Sequence, residues 1–266
     1  MEPPPPLVKA PVSRRGWWIH WLLITAYLLL VGALGLGRQP THSPALRHTA
    51  AGLLRVCSME VLLFGLFFGL ACRASRATRD DLRLRWRGSF LPVFLGAGYS
   101  VALRLALALL LMAGAAILVC TRIITLNGLQ SFFAANRPDV EVLVDVSALR
   151  HDPVYFWCVL TIVSFVVAGL REELWRSAFL AGMRALWPQR FGSRAGQVGA
   201  VFVAAIIFGG AHVAQGMLAV GLAGLLGVGL GLIMVFHRSI WPAVIAHGLF
   251  DATTFAMLPW VMGHLK

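Results

Sequence analysis

The chain has 266 residues, of which 59% are hydrophobic and 13% charged, with a mean hydropathy of +0.78. A soluble chain carries about 25% charged residues, so this composition excludes an ordinary water-soluble protein and predicts an all-α, polytopic membrane bundle. The net charge of +12 does not indicate a nucleic-acid partner. The arginines lie between apolar runs, where they set topology and meet anionic head groups of the bilayer.

Apolar runs near 20 residues long match a hydrocarbon core of about 30 Å. Met1 to Arg15 reads as a basic, proline-rich, disordered tail, and residues 16–266 as a single membrane-embedded helical domain. Seven spans, within a range of six to eight, are predicted in chain order: Trp17–Leu36, Ala50–Cys72, Phe90–Cys120, Val154–Trp187, Gln197–Val213, Met217–Phe236 and Ile240–Leu258. The first run is too long for a signal peptide and lacks a small-x-small cleavage site near its end. Between Arg122 and Pro153 lies a polar, acidic segment with turn signals at Asn127-Gly128 and Arg137-Pro138. Its stretch Val140–Leu149 is a candidate short amphipathic element.

Loops rich and poor in arginine alternate. The rich group comprises the N-terminal tail, the loop holding Arg73, Arg76, Arg79, Arg83, Arg85 and Arg87, and the loop holding Arg184, Arg190 and Arg194. The positive-inside rule then predicts a cytoplasmic N-terminus. The residue usage suits a bacterial inner membrane. All nine tryptophans except Trp175 lie near proposed span ends, as an interfacial belt requires. Cys57, Cys72, Cys120 and Cys158 have no metal-type spacing and read as packing residues. Gly227 and Gly231, four apart in the sixth span, permit close helix packing.

Three ionisable clusters interrupt the apolar runs: Arg171-Glu172-Glu173-Leu174-Trp175-Arg176, Phe208 to His212, and His247 to Asp251. Charges at membrane depth are costly and mark sites of function. Residues four apart in a helix share a face, which pairs Glu172 with Arg176, Phe208 with His212, and His247 with Asp251. With a rise of about 1.5 Å per residue, Glu172, His212, His247 and Asp251 lie roughly 18, 24, 14 and 20 Å from the arginine-rich ends of their helices. A single layer is therefore compatible with all four, and a site opening toward the cytoplasmic half is expected. Glu60 and Arg104 also match in depth, at roughly 18 and 21 Å, which predicts a salt bridge between them.

The ordered trio resembles the CPBP intramembrane proteases, the group that includes the CAAX prenyl endopeptidase and bacterial Abi proteins. Their pattern is Glu-Glu-x-x-x-Arg, Phe-x-x-x-His and His-x-x-x-Asn or Asp on successive helices. The last two motifs match in spacing and type, and the resemblance covers residues 154–258. In the first, Arg176 follows the Glu pair after two residues instead of three. Alignment on the Glu pair makes Glu172 the first family glutamate. Alignment on Arg176 puts Arg171 there and makes Glu172 the second.

The resemblance implies an intramembrane endopeptidase acting on a peptide or protein substrate. It implies that the first glutamate and His212 activate a water, that His247 and Asp251 serve the oxyanion, and that Glu173 and Arg176 support the site. No cofactor is the preferred reading. Zinc on Glu172, His212 and His247 is the alternative, since two His and a carboxylate leave one position open. No His-Glu-x-x-His helix is present. A non-catalytic binding or immunity protein on the same fold is the alternative function. A transporter would carry paired halves with broken helices, and no such duplication stands out.

Overall fold

The computed structural model describes residues 13–36, 48–86 and 89–264. The proline-rich tail falls outside the described residues up to residue 12, as do Arg38, Arg47 and Arg87. The described residues are mostly helical. The helices are α1 (Arg14–Leu36), α2 (Ala50–Ser75), α3 (Leu91–Cys120), α4 (Leu126–Ala135), α5 (Val146–His151), α6 (Pro153–Cys158), α7 (Glu173–Leu186), α8 (Pro188–Phe191), α9 (Arg194–Gly210), α10 (Met217–His237) and α11 (Trp241–His264). A π-helical segment, Val159–Glu172, joins α6 to α7 in one continuous run. Six stretches among the described residues are long and apolar enough to cross a bilayer, and α9 is apolar but shorter at 17 residues. This is the all-α polytopic bundle that composition predicts.

Helix starts follow local chemistry. Side-chain oxygens of Thr49, Thr125, Asp145, Asp152 and Ser193 accept backbone N–H groups in the first turns of α2, α4, α5, α6 and α9, which otherwise lack partners. Asn127-Gly128, predicted as a turn, instead lies in the first turn of α4, because the Thr125 hydroxyl caps Gly128 N at 3.1 Å. Val140–Leu149 is a 3₁₀ turn over Val140–Val142 followed by α5. Asp145 also pairs with His48, next to the start of α2. Burial opposes ionisation of Asp145. The His48 hydrogen bond and the N–H groups of Ala148 and Ser147 outweigh it and hold the carboxyl below its usual range.

The π-helical segment packs along α11, which in turn packs on α3; α9 packs on α10, and α1 on α2 and α7. Two glycines set the distance between the π-helical segment and α11. A Cβ on Gly169 would lie 2.9 Å from Val244 O, and one on Gly248 would lie 2.3 Å from the Phe165 ring. Gly231 similarly faces Val201 on α9, where an added Cβ would fall 2.6 Å from a methyl group. In a bilayer such close approach matters, since helices associate through packing contacts rather than by escaping water.

The arginine-rich end is closed by the 77–86 loop, which folds back onto the helices. Ser177 Oγ donates to Leu82 O, Trp241 Nε1 to Leu84 O at 3.0 Å, and Ile240 N to Arg83 O at 3.1 Å. Buried His20 bridges Ser75 Oγ at 2.9 Å and Ala178 O at 3.0 Å. Arg83 donates to Met234 O at 3.1 Å and to Gln197. Burial lowers its pKa to about 9, helped by nearby Arg184 and Arg238.

Gly169→Val should force α11 off the π-helical segment. We expect a loss of about 1–3 kcal/mol, the usual cost of overpacking, read as a lowered unfolding midpoint in detergent. Gly199→Ala, where an added Cβ meets nothing within 4 Å, should leave the midpoint unchanged.

Candidate active site

The π-helical segment ends at Glu172, and the helix tightens to α at Glu173. Residues on either side of this change of pitch do not keep the four-residue register of an α-helix. The predicted Glu172–Arg176 pair is accordingly absent. Arg176 bonds Glu173 instead, three residues back, while Glu172 accepts from Arg171 Nη2 at 2.9 Å.

Glu173 and Arg176 are both fully buried. The guanidinium of Arg176 also sits 4.8 Å from the centre of the Phe208 ring, whose electron-rich face favours a cation. Trp175, likewise buried, donates from Nε1 to Ile24 O at 2.9 Å and stacks between Phe179 and Phe208. Glu173 Oε2 and Arg176 Nε and Nη2 have no hydrogen-bond partner among the described residues.

His247 lies on α11 with only 3% of its surface exposed. Its Nδ1 is 3.1 Å from Glu173 Oε1, and since a carboxylate only accepts, Nδ1 carries the proton. Nε2 then faces Glu172 Oε2 and Asp251 Oδ2, each 3.8 Å away. His247 and Asp251 share a face as their four-residue spacing predicts. His212 follows the end of α9, and its Nδ1 lies 2.8 Å from Phe208 O. A carbonyl also only accepts, so in the neutral ring Nδ1 is the donor and Nε2 keeps a lone pair.

Glu172, His212, His247 and Asp251 line one cavity of about 350 Å³, together with Glu60 and Arg171. Glu173 and Arg176 stand behind its wall and do not line it. The rest of the lining is mostly apolar, including Leu53 and Val56 from α2, Leu107 from α3, and Leu222 and Leu226 from α10. Pro138, Val140, Leu143 and Gln215 bound it from the arginine-poor end. Among the described residues none from the arginine-rich loops lines it, so the expected opening toward that half is not met. The folded-back 77–86 loop is the physical reason.

The Glu60–Arg104 salt bridge predicted from depth does not form. Arg104 reaches across to α11, bonding Phe250 O, Thr253 and Thr254 and covering the Phe250 ring at 4.2 Å. Glu60 pairs with Arg171 at 3.0 Å, because α2 packs on the π-helical segment and α3 packs on α11. Equal depth did not bring Glu60 and Arg104 side by side. The role of Arg171 was missed although it adjoins the Glu pair in sequence.

Among the described residues no three His, Cys, Asp or Glu side chains are grouped to hold a metal ion. Glu172, His212 and His247 are thus not grouped as the zinc set considered from sequence.

Residues 154–253 match the family model described as type II CAAX prenyl endopeptidase Rce1-like. Searches of curated proteins and of solved structures each return no match. The matched stretch contains Glu172, Glu173, Arg176, Phe208, His212, His247 and Asp251. Glu60 and the remainder of α2 fall outside it. Over residues 154–253 the chain is similar to the type II CAAX prenyl endopeptidase family, a family of peptidases.

Proposed function

We infer that the protein hydrolyses peptide bonds within the membrane with a water activated by Glu172. One observation carries this reading. Of the two adjacent glutamates, Glu173 is sealed against Arg176 and His247, whereas Glu172 lines the cavity with only Oε1 bonded to Arg171. Oε2 is turned toward His247 at a distance too long for a hydrogen bond, so its lone pairs are available to a cavity water. This favours alignment on the Glu pair, with Glu172 as the first family glutamate.

In the proposed reaction Glu172 takes a proton as the water oxygen attacks the peptide carbonyl. The Nε2 lone pair of His212 accepts a second hydrogen bond from that water and fixes its direction. Negative charge developing on the carbonyl oxygen meets the Nε2 edge of His247, whose protonated form donates from that edge. Glu173 holds the imidazole through Nδ1, and the nearby Asp251 carboxylate favours its protonated form. Glu172 then returns its proton to the leaving nitrogen as the C–N bond breaks. Arg176 compensates the charge of Glu173 so that the carboxylate can stay buried.

Cleavage of a peptide library in proteoliposomes tests the reading. Glu172→Gln, His212→Ala and His247→Ala should each lower turnover by ~10²–10⁴-fold while the protein still folds, and their effects should not multiply when combined. Wild-type turnover in all three variants would return the protein to the non-catalytic alternative.

Glu173→Gln separates the two alignments, since a milder kinetic loss than that of Glu172→Gln assigns the base to Glu172. The reverse order would transfer that role to Glu173.

Exhaustive chelation should leave cleavage intact. Loss of activity that zinc restores would make Glu172, His212 and His247 metal ligands instead.

A further inference from the structure

Arg171 precedes the Glu pair and divides its guanidinium between two acids. Nε donates to Val167 O at 3.1 Å, Nη1 to Glu60 Oε2 at 3.0 Å and to the Tyr27 hydroxyl at 3.3 Å, and Nη2 to Glu172 Oε1 at 2.9 Å. Its side chain is 12% exposed, so the cation is committed to these partners. Glu60 and Glu172 both line the cavity.

An arginine facing one carboxylate forms two parallel hydrogen bonds, one to each oxygen. Here that pairing is prevented. Glu60, on α2, occupies Nη1, leaving Glu172 a single bond through Oε1. The second oxygen of Glu172 stays free on the side of His247.

The geometry points to Glu60 and Arg171 as positioning residues for the base, with Glu60 drawing half of the guanidinium away so that Glu172 Oε2 can meet water. This rests on Glu172 being the base. Without the charge of Glu60, Arg171 is free to close on both oxygens of Glu172, and the water loses its acceptor. Glu60 belongs to α2, outside residues 154–253, so the site is completed by a helix that the family match does not cover. A purely structural α2-to-π-segment ion pair has a different signature. Its removal would lower stability and leave turnover per folded molecule unchanged.

The test uses the full chain in proteoliposomes and the peptide it cleaves best from the library. Glu60→Gln, which keeps shape and loses charge, should lower kcat by about 10- to 100-fold, the scale of a misplaced reacting group. KM should change little, because ground-state binding is not touched. Glu60→Asp should fall between Glu60→Gln and wild type, and it carries the comparison if Glu60→Gln does not fold. Glu60→Gln combined with Arg171→Gln should be no slower than Arg171→Gln alone, since Glu60 acts through the arginine.

A second readout needs no substrate. Labelling of Glu172 by dicyclohexylcarbodiimide, located by mass spectrometry, should drop severalfold in Glu60→Gln as both oxygens become engaged. Wild-type kcat and wild-type Glu172 labelling in Glu60→Gln, with only a lower unfolding midpoint, would overturn the positioning role and leave Glu172 as base. Full cleavage by Glu172→Gln would overturn the base, and this inference with it.

Discussion

A carboxylate sealed inside an apolar bundle is tolerable only with a cation and hydrogen bonds at hand, and the centre of this protein is organised by that requirement at Glu173. Removing charge from water costs several kcal/mol per ion even after relaxation. Arg176 supplies the opposing charge, Phe208 lends its ring face to the guanidinium, and His247 donates from Nδ1. These partners come from α7, α9 and α11, so one buried charge draws three helices together. The glycines at 169 and 248 belong to the same requirement: α11 must approach closely enough for His247 to reach Glu173.

The change of helical pitch at residue 172 gives the two adjacent glutamates different surroundings. In a uniform α-helix neighbouring residues diverge by a fixed turn, and the family spacing Glu-Glu-x-x-x-Arg places the second glutamate four residues before the arginine. In this chain the arginine comes three residues after the second glutamate, with two residues between them. Glu173 still bonds Arg176, since positions three apart are also neighbours on a helix, and the pairing survives the missing residue. Glu172, closing the wider π turn, is released toward the cavity and toward Arg171. π-helical turns recur at functional sites, and the local reason here is the separation of two chemically identical side chains.

The bundle was legible in the sequence because hydropathy reports on the solvent around each helix, and spans from Trp17 to Leu258 fall within one to a few residues of the observed helices over most of their ends. The convergence of Glu172, His212, His247 and Asp251 was legible because charges inside spans are rare and their depths could be counted. Which charges pair was not legible. The four-residue rule assumes an α-helix, and nothing in Val159–Glu172 announced a π turn. Depth matching likewise gave Arg104 to Glu60, whereas lateral packing, which a single chain does not encode in its periodicity, brings Glu60 to Arg171. Asn127-Gly128 misled for a simpler reason: the Thr125 cap converts a turn signal into the start of a helix.

The cavity has two kinds of wall. Most of the ionisable groups that line it are carried by the π-helical segment, α11 and the end of α9, where an exchange would strand a charge. Leu53 and Val56 face them from α2, and these apolar side chains carry no charge to strand. Sequence drift is therefore tolerated unequally across a few ångströms. The reactive side resists change, while the opposite side is free to alter the shape and size of what is admitted. A lineage of such proteins can diversify what it admits through Leu53 and Val56 while keeping its charged groups unaltered.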